Sequence, residues 1–196
     1  HFNHDISSWD VSKVNSMKGM FSCGCKNFNQ PLDKWDVSRV TNMWSMFQGC
    51  TNFNQPLNNW NVSKVNDMTY MFQGCTNFNQ PLDKWDVSSV TDIGSMFAYC
   101  TNFNQPLNNW NVSRVTEMSQ MFEGCTNFNQ PLDKWDVSGV EEIFSMFEDC
   151  ENFNQSLDNW NFEEVSDMRN MFKGCVALEV LPKWYDKDIE EDGDDD

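Results

Sequence analysis

Side chains that could do chemistry recur in this sequence at one fixed spacing. Cys25, Cys50, Cys75, Cys100, Cys125, Cys150 and Cys175 stand 25 residues apart, and Cys23 breaks the series in the run FSCGC. Thiols in such numbers suggest disulfide or metal chemistry. Period-locked cysteines, however, point the same way in successive repeats, and a disulfide needs Cβ atoms about 3.5–4.5 Å apart with a skewed torsion. The expectation is a column of buried free thiols filling space as small apolar groups. A contact of Cys23 with Cys25 or a partner thiol stays open, and so does the redox compartment.

Carboxylates and amides repeat as well. Lys34 and Asp36, Lys84 and Asp86, and Lys134 and Asp136 flank one set of tryptophans; Asn59 and Asn61, Asn109 and Asn111, and Asn159 and Asn161 flank the alternate set. Interleaved Asn keeps stacked carboxylates from lying side by side, an arrangement that neighbouring strands disfavour. Alternate-rung carboxylates would lie about 9–10 Å apart at a strand spacing of about 4.8 Å, too far to share one ion. The run Asp186–Gly193 has calcium-loop residues, but its glycine is misplaced and no closing Glu follows. Asn3, Asn29, Asn54, Asn79, Asn104, Asn129 and Asn154 form an unbroken column suited to satisfying backbone groups between repeats. No cofactor is expected.

Catalytic chemistry finds little to work with. The two histidines, His1 and His4, lie at the start of the sequence. No glycine-rich phosphate loop is present, and Ser38, Ser63, Ser88, Ser113 and Ser138 sit where helix caps are wanted. The expectation is a protein that is not an enzyme. Asn61-Val-Ser63 and Asn111-Val-Ser113 are glycosylation sequons, meaningful only in a eukaryotic secretory pathway.

The elements that hold these residues follow from the same period. A repeat in the range of about 20–50 residues implies stacked coils. Rungs are expected at 1–27, 28–52, 53–77, 78–102, 103–127, 128–152 and 153–177, with a closing half-rung at 178–185 and an acidic tail at 186–196. In that half-rung Leu181 and Trp184 look out of register. Phe2 already occupies the Phe column, which suggests an excised segment. Within a rung, Leu57-x-x-Trp60-x-Val62 ends in the alternation of a short strand. Val65, Met68, Met71 and Phe72 then fall on one helical face, with Ser63 as cap, Ser138-x-x-Glu141 as a capping box in a later rung, and Gly49, Gly74, Gly124 and Gly174 as left-handed endings. The predicted fold is therefore an α/β solenoid of about seven rungs, each with one short parallel strand and one short helix. Trp is expected inside, its indole N–H on a buried acceptor.

The unit FNQPLxxWxVSxVxxMxxMFxxCxxFNQ resembles the 25-residue repeat of bacterial surface proteins and mycoplasma-type lipoproteins grouped as BspA-like. The resemblance covers residues 2–178. It implies a leucine-rich-repeat-like solenoid displayed at the cell surface or outside the cell and linked to adhesion or protein binding. It brings no catalytic residues. Two departures are that Cys stands where many members have Ala, and that no lipid-anchoring start is present in this segment.

Charge narrows the partners. The chain carries a formal −17, distributed as +1 over 1–77, −3 over 78–127 and −15 over 128–196. This argues against nucleic acid, whose phosphates attract Lys and Arg, and against an anionic membrane surface. No window has the roughly 20 apolar residues of a membrane span. The acidic end could steer a basic partner or serve solubility. The expectation is a monomeric recognition module that binds protein through its concave strand face, at the twelve Trp-flanking positions named above. The alternative is a structural spacer without a ligand.

Overall fold

A computed structural model describes residues 2–22 and 24–186 of the chain. The expectations that concern His1, Cys23 and residues 187–196 lie outside the described residues.

Each rung is a loop of successive β-turns. In the rung that begins at Phe53, Trp60 N–H donates to Leu57 O at 3.0 Å, Val65 to Val62 at 2.9 Å and Met71 to Met68 at 3.1 Å. Gln73 then donates to Tyr70 at 3.1 Å, Cys75 to Phe72 at 2.9 Å and Phe78 to Cys75 at 3.0 Å. Every turn but the one from Tyr70 to Gln73 begins and ends on a buried apolar side chain. In those turns the corners of the coil point inward and the two central residues point out, whereas the Tyr70–Gln73 turn carries buried Met71 and Phe72 at its centre.

The regular backbone ladder between rungs runs through one segment. Met68 N–H donates to Asp92 O at 3.0 Å, Tyr70 to Gly94 at 3.0 Å, Phe72 to Met96 at 2.9 Å and Gly74 to Ala98 at 2.8 Å. Alternate amides thus reach the next rung, while the Met71 and Gln73 amides between them close turns in their own. Single parallel bridges mark this ladder from Ser16 and Asn42 through Asp67, Asp92, Glu117 and Glu142 to Asp167.

The solenoid expected from the period is present, but the predicted elements are corrected. No helix or extended strand forms among the described residues. The parallel ladder runs through the span read as a helix, Ser63–Phe72, and the Leu57–Val62 span read as a strand is one turn, Leu57–Trp60, running into the next at Val62. The cause is a shared spacing: residues i and i+3 lie on one side of both a helix and a β-turn. The backbone decides between them. Ser45, Tyr70, Ser95, Gln120, Ser145 and Asn170 adopt left-handed φ of 53–58°, once per rung in the middle of the ladder, which no α-helix accommodates. Gly49, Gly74, Gly124 and Gly174 are left-handed as expected, at φ 67–76°, but they turn a ladder corner instead of ending a helix. The cap residues change role with the helix: Ser38, Ser63, Ser88 and Ser138 offer their amides to the Asp or Asn two residues earlier.

The interior is a set of side-chain columns. Phe53, Phe78, Phe103 and Phe128 stack at 6.0–6.1 Å, each also 4.1–4.3 Å from the ladder Phe of the preceding rung, as Phe53 is from Phe47. Trp35 to Trp160 are inside, with Trp85 Nε1 donating to Leu57 O and Trp110 Nε1 to Leu82 O, both at 2.9 Å. Cys50, Cys75, Cys100, Cys125 and Cys150 are buried, and their thiols sit 2.9–3.3 Å from a Phe carbonyl of the preceding rung. The Asn column works between rungs: Asn54 N–H donates to Asn29 Oδ1 at 2.9 Å, and Gln55 Nε2 reaches the same oxygen at 3.0 Å.

At the closing half-rung, Trp184 is in spatial register despite its sequence offset. It stacks on Trp160 at 6.3 Å and donates to Leu157 O at 2.8 Å, so the expected break in register is corrected. Trp9, on the first rung, is 53% exposed.

Candidate recognition surface

Two surfaces of the coil carry polar side chains in columns, and they differ in how far those side chains are used by the fold itself. The first holds the twelve Trp-flanking residues. Lys34, Asp36, Asn59, Asn61, Lys84, Asp86, Asn109, Asn111, Lys134, Asp136, Asn159 and Asn161 are all exposed. The structure gathers them as two columns beside the Trp corner, but they lie outside the parallel ladder, so their assignment to a strand face is corrected. The Asx column is occupied locally. Asp86 Oδ1 accepts Ser88 N–H at 3.1 Å and Ser88 Oγ–H at 2.6 Å; Asp136 does the same for Ser138, and Asn61 and Asn111 for Ser63 and Ser113. These bonds hold the carboxyls of Asp36, Asp86 and Asp136 below the usual carboxylate range. Asp and Asn serve equally as turn acceptors, which is why they can alternate. Amide-to-carboxylate contacts between rungs occur one column over, where Asn58 Nδ2 donates to Asp83 Oδ1 and Asn108 Nδ2 to Asp133 Oδ1, both at 2.9 Å.

The second surface is the ladder face. Its bridge column reads Ser16, Asn42, Asp67, Asp92, Glu117, Glu142, Asp167. Five carboxylates thus follow one another on consecutive rungs, each about 4.8 Å from the next by the spacing of parallel strands. All five are half-buried. Asp67 is relieved by Asn42 Nδ2 at 2.9 Å and Thr69 Oγ1 at 2.7 Å, and Asp167 by Arg169 at 2.7 Å. Asp92 takes Gly94 N–H at 3.0 Å and Glu117 takes Ser119 N–H at 2.6 Å. Among the described residues no ion pair reaches Asp92, Glu117 or Glu142. Burial pushes the Glu117 carboxyl above its usual value, and the charges of Asp92 and Glu142 push the same way.

Two residues further along each rung runs the column Lys18, Trp44, Thr69, Gly94, Ser119, Phe144, Arg169. Lys18 Nζ lies 4.4 Å from the centre of the Trp44 ring, and Trp44 meets Tyr70 edge-on at 5.9 Å. The short side chains of Thr69, Gly94 and Ser119 leave a trough of about 230 Å³ between Tyr70 and Phe144. Ser119 is 4% exposed and lines this trough. Its hydroxyl lies close enough to Glu117 to favour that carboxylate, yet makes no hydrogen bond of good geometry.

Sequence reasoning missed this face. Its signal was present as an acid directly before the apolar residue of the Met column in Asp67, Asp92, Glu117, Glu142 and Asp167. On a supposed helix those positions were simply the outer, solvated side.

The arrangement does not assemble a metal centre: among the described residues no three His, Cys, Asp or Glu side chains converge as ligands. Nor is any helix of the described residues long and apolar enough to cross a membrane.

With this geometry in hand, the chain can be set beside known proteins. The profile of DUF285, described as a Mycoplasma protein of unknown function, matches residues 1–98 and 71–184. The crystal structure of a leucine-rich-repeat protein from T. pallidum is similar in fold, with a TM-score of 0.51 at 20% identity. The match covers 77% of this chain and 64% of that one, so the chain spans less than two thirds of the relative's length. No curated protein matches.

Proposed function

Because the chain belongs to the DUF285 family of unknown function and has a leucine-rich-repeat-like repeat fold, we propose that it is a non-catalytic recognition module that binds protein through its ladder face. One observation carries the reading. Columns that serve the stack are nearly uniform, as with Phe, Trp, Cys and Asn, and the Trp-flanking columns alternate between two residues. The ladder-face column instead runs Lys18, Trp44, Thr69, Gly94, Ser119, Phe144, Arg169. A regular scaffold that displays a different side chain on each rung makes a surface with its own shape and charge, as a binding face requires. The family resemblance adds an extracellular or cell-surface location and an adhesin-type role to this proposal.

The twelve Trp-flanking positions are the competing face, and a spacer without a ligand is the competing role. The spacer reading is favoured by the local hydrogen bonds that occupy Asp36, Asp86 and Asp136. One experiment separates all three. The immobilised chain is offered surface-labelled proteins from candidate neighbouring cells, beside a Trp44→Ala/Phe144→Ala variant and an Asp86→Lys/Asp136→Lys variant. Ladder-face recognition predicts a protein set held by the wild type and by the Asp variant and lost by the aromatic one. Loss in the Asp variant alone moves the site to the Trp flank. Capture of no protein by the wild type makes the chain a spacer, and equal retention by all three removes both faces as the site.

A further inference from the structure

We propose that the trough between Tyr70 and Phe144 seats a lysine or arginine side chain from a basic segment of a protein partner, held by Glu117, Ser119 and Phe144. This rests on the recognition role of the ladder face.

The chain itself shows how the face holds cations, once at each end. At the last full rung, Arg169 reaches back two residues to pair with Asp167 at 2.7 Å. At the first, Lys18 lies over Trp44, its neighbour on the following rung in the same column, at 4.4 Å. At Ser119 both partners of such a cation are present and the cation is not. Glu117 stands to Ser119 as Asp167 does to Arg169. Phe144 stands to Ser119 as Trp44 does to Lys18. A positive group above Ser119 would therefore meet a carboxylate of its own rung and an aromatic face of the next, two interactions that reinforce one another in a desolvated site.

The Ser119 hydroxyl gives an independent reason. It is buried, lines the trough and lacks a hydrogen-bond partner. Such groups cost stability unless something completes them. Two rungs earlier in the same column, the Thr69 hydroxyl donates to Asp67 at 2.7 Å, so the same position is satisfied where the acid is shorter. Asp67 accepts both the amide and the hydroxyl of Thr69, whereas Glu117 takes the Ser119 amide without a well-formed bond from the hydroxyl, leaving that oxygen to accept from an incoming ammonium or guanidinium.

The occupant is a protein side chain and not an ion or a small amine for two reasons. No three ligands converge for a metal. Carboxylates without an ion pair also flank Glu117 on both neighbouring rungs, Asp92 lining the trough and Glu142 beyond it, so a basic chain finds further charge on either side of its anchored residue.

The test uses the intact chain and a fluorescent decapeptide of alternating Lys and Gly, with binding read by anisotropy at low salt. Glu117→Gln and Asp92→Asn are expected to weaken the peptide about fivefold each, the scale of one partly desolvated charge pair. Ser119→Lys places a tethered cation in the trough and is expected to weaken it at least about tenfold by competition. Asp36→Asn and Asp136→Asn remove the same charge from the Trp flank and should stay within about twofold. Thermal melts of each variant confirm folding. Equal weakening by the Trp-flank variants overturns the proposal, since binding would be diffuse attraction. So does an unchanged affinity in Glu117→Gln, or competition by spermidine at the peptide's own concentration. If the peptide fails these tests while the aromatic ladder variant still loses its captured proteins, recognition stands and only the cation assignment falls.

Discussion

The indole N–H of Trp85 donates to the carbonyl of Leu57, 28 residues back in the preceding rung, at 2.9 Å. The same bond recurs from Trp60 to Leu32, Trp110 to Leu82, Trp135 to Leu107 and Trp160 to Leu132. Each Leu carbonyl is also the acceptor that closes its own turn, as Leu57 does for Trp60 N–H. The Trp column thus joins the corner of one rung to the corner of the next. Trp85→Phe keeps the ring stack but removes the donor from a buried site. It is expected to destabilise the chain by about 1–3 kcal/mol in denaturant unfolding, whereas the same change at exposed Trp9 should have little effect.

How much of this was readable beforehand follows from particular residues. Trp85 inside, Asn79 as an inter-rung acceptor and Cys100 as a buried thiol were all legible, because a fixed period stacks identical side chains whatever the local backbone. The backbone itself was not. Val65, Met68 and Met71 are spaced by three, and three is the step of a β-turn as much as of a helical face. Tyr70 and Gln120, left-handed in the middle of the ladder, carry no sequence signal for that conformation, since neither is Gly or Asn. The acidic face followed the same error. With 63–72 read as helix, the Trp flank is the strand surface that the sequence offers, and Asp67 draws no attention.

The thiol column makes a chemical prediction. Burial pushes the Cys50 thiol up to about 12, and those of Cys75, Cys100, Cys125 and Cys150 rise as well. A thiolate is the reactive form. These cysteines should resist a thiol reagent at pH 8 in the native protein and react fully in denaturant, with half-exposed Cys25 reacting in both.

Left-handed corners predict opposite outcomes for two reciprocal substitutions. Asp149 has φ 58° at the position that Gly49, Gly74, Gly124 and Gly174 occupy in other rungs. Asp149→Gly should raise stability by about 1 kcal/mol by removing that strain. Gly124 has φ +67°, and a Cβ there would come within 2.6 Å of the Tyr99 ring. Gly124→Ala should cost about 1–3 kcal/mol. Paired chemical melts check both.

Glu117 predicts a pH dependence. Its carboxyl titrates above the ordinary 4.5 because burial and neighbouring carboxylates disfavour the charge. The folded state therefore binds this proton more tightly than the unfolded one. Its contribution to stability is fully present below the unfolded value and is lost as pH rises through the folded value. Glu117→Gln removes that loss. Its melting temperature should exceed wild type at pH 7, with the difference shrinking as pH falls toward 4. A variant that is more stable yet weaker in peptide binding separates the two roles of this residue.

The most direct test of the stack is the scalar coupling across its hydrogen bonds, measured by NMR on labelled protein. The ladder predicts couplings from the amides of Met68, Tyr70, Phe72 and Gly74 to the carbonyls of Asp92, Gly94, Met96 and Ala98 in the next rung. Couplings from Phe72 to Met68, four residues back within the same rung, would mean a helix there and would contradict the ladder face on which the proposed recognition depends.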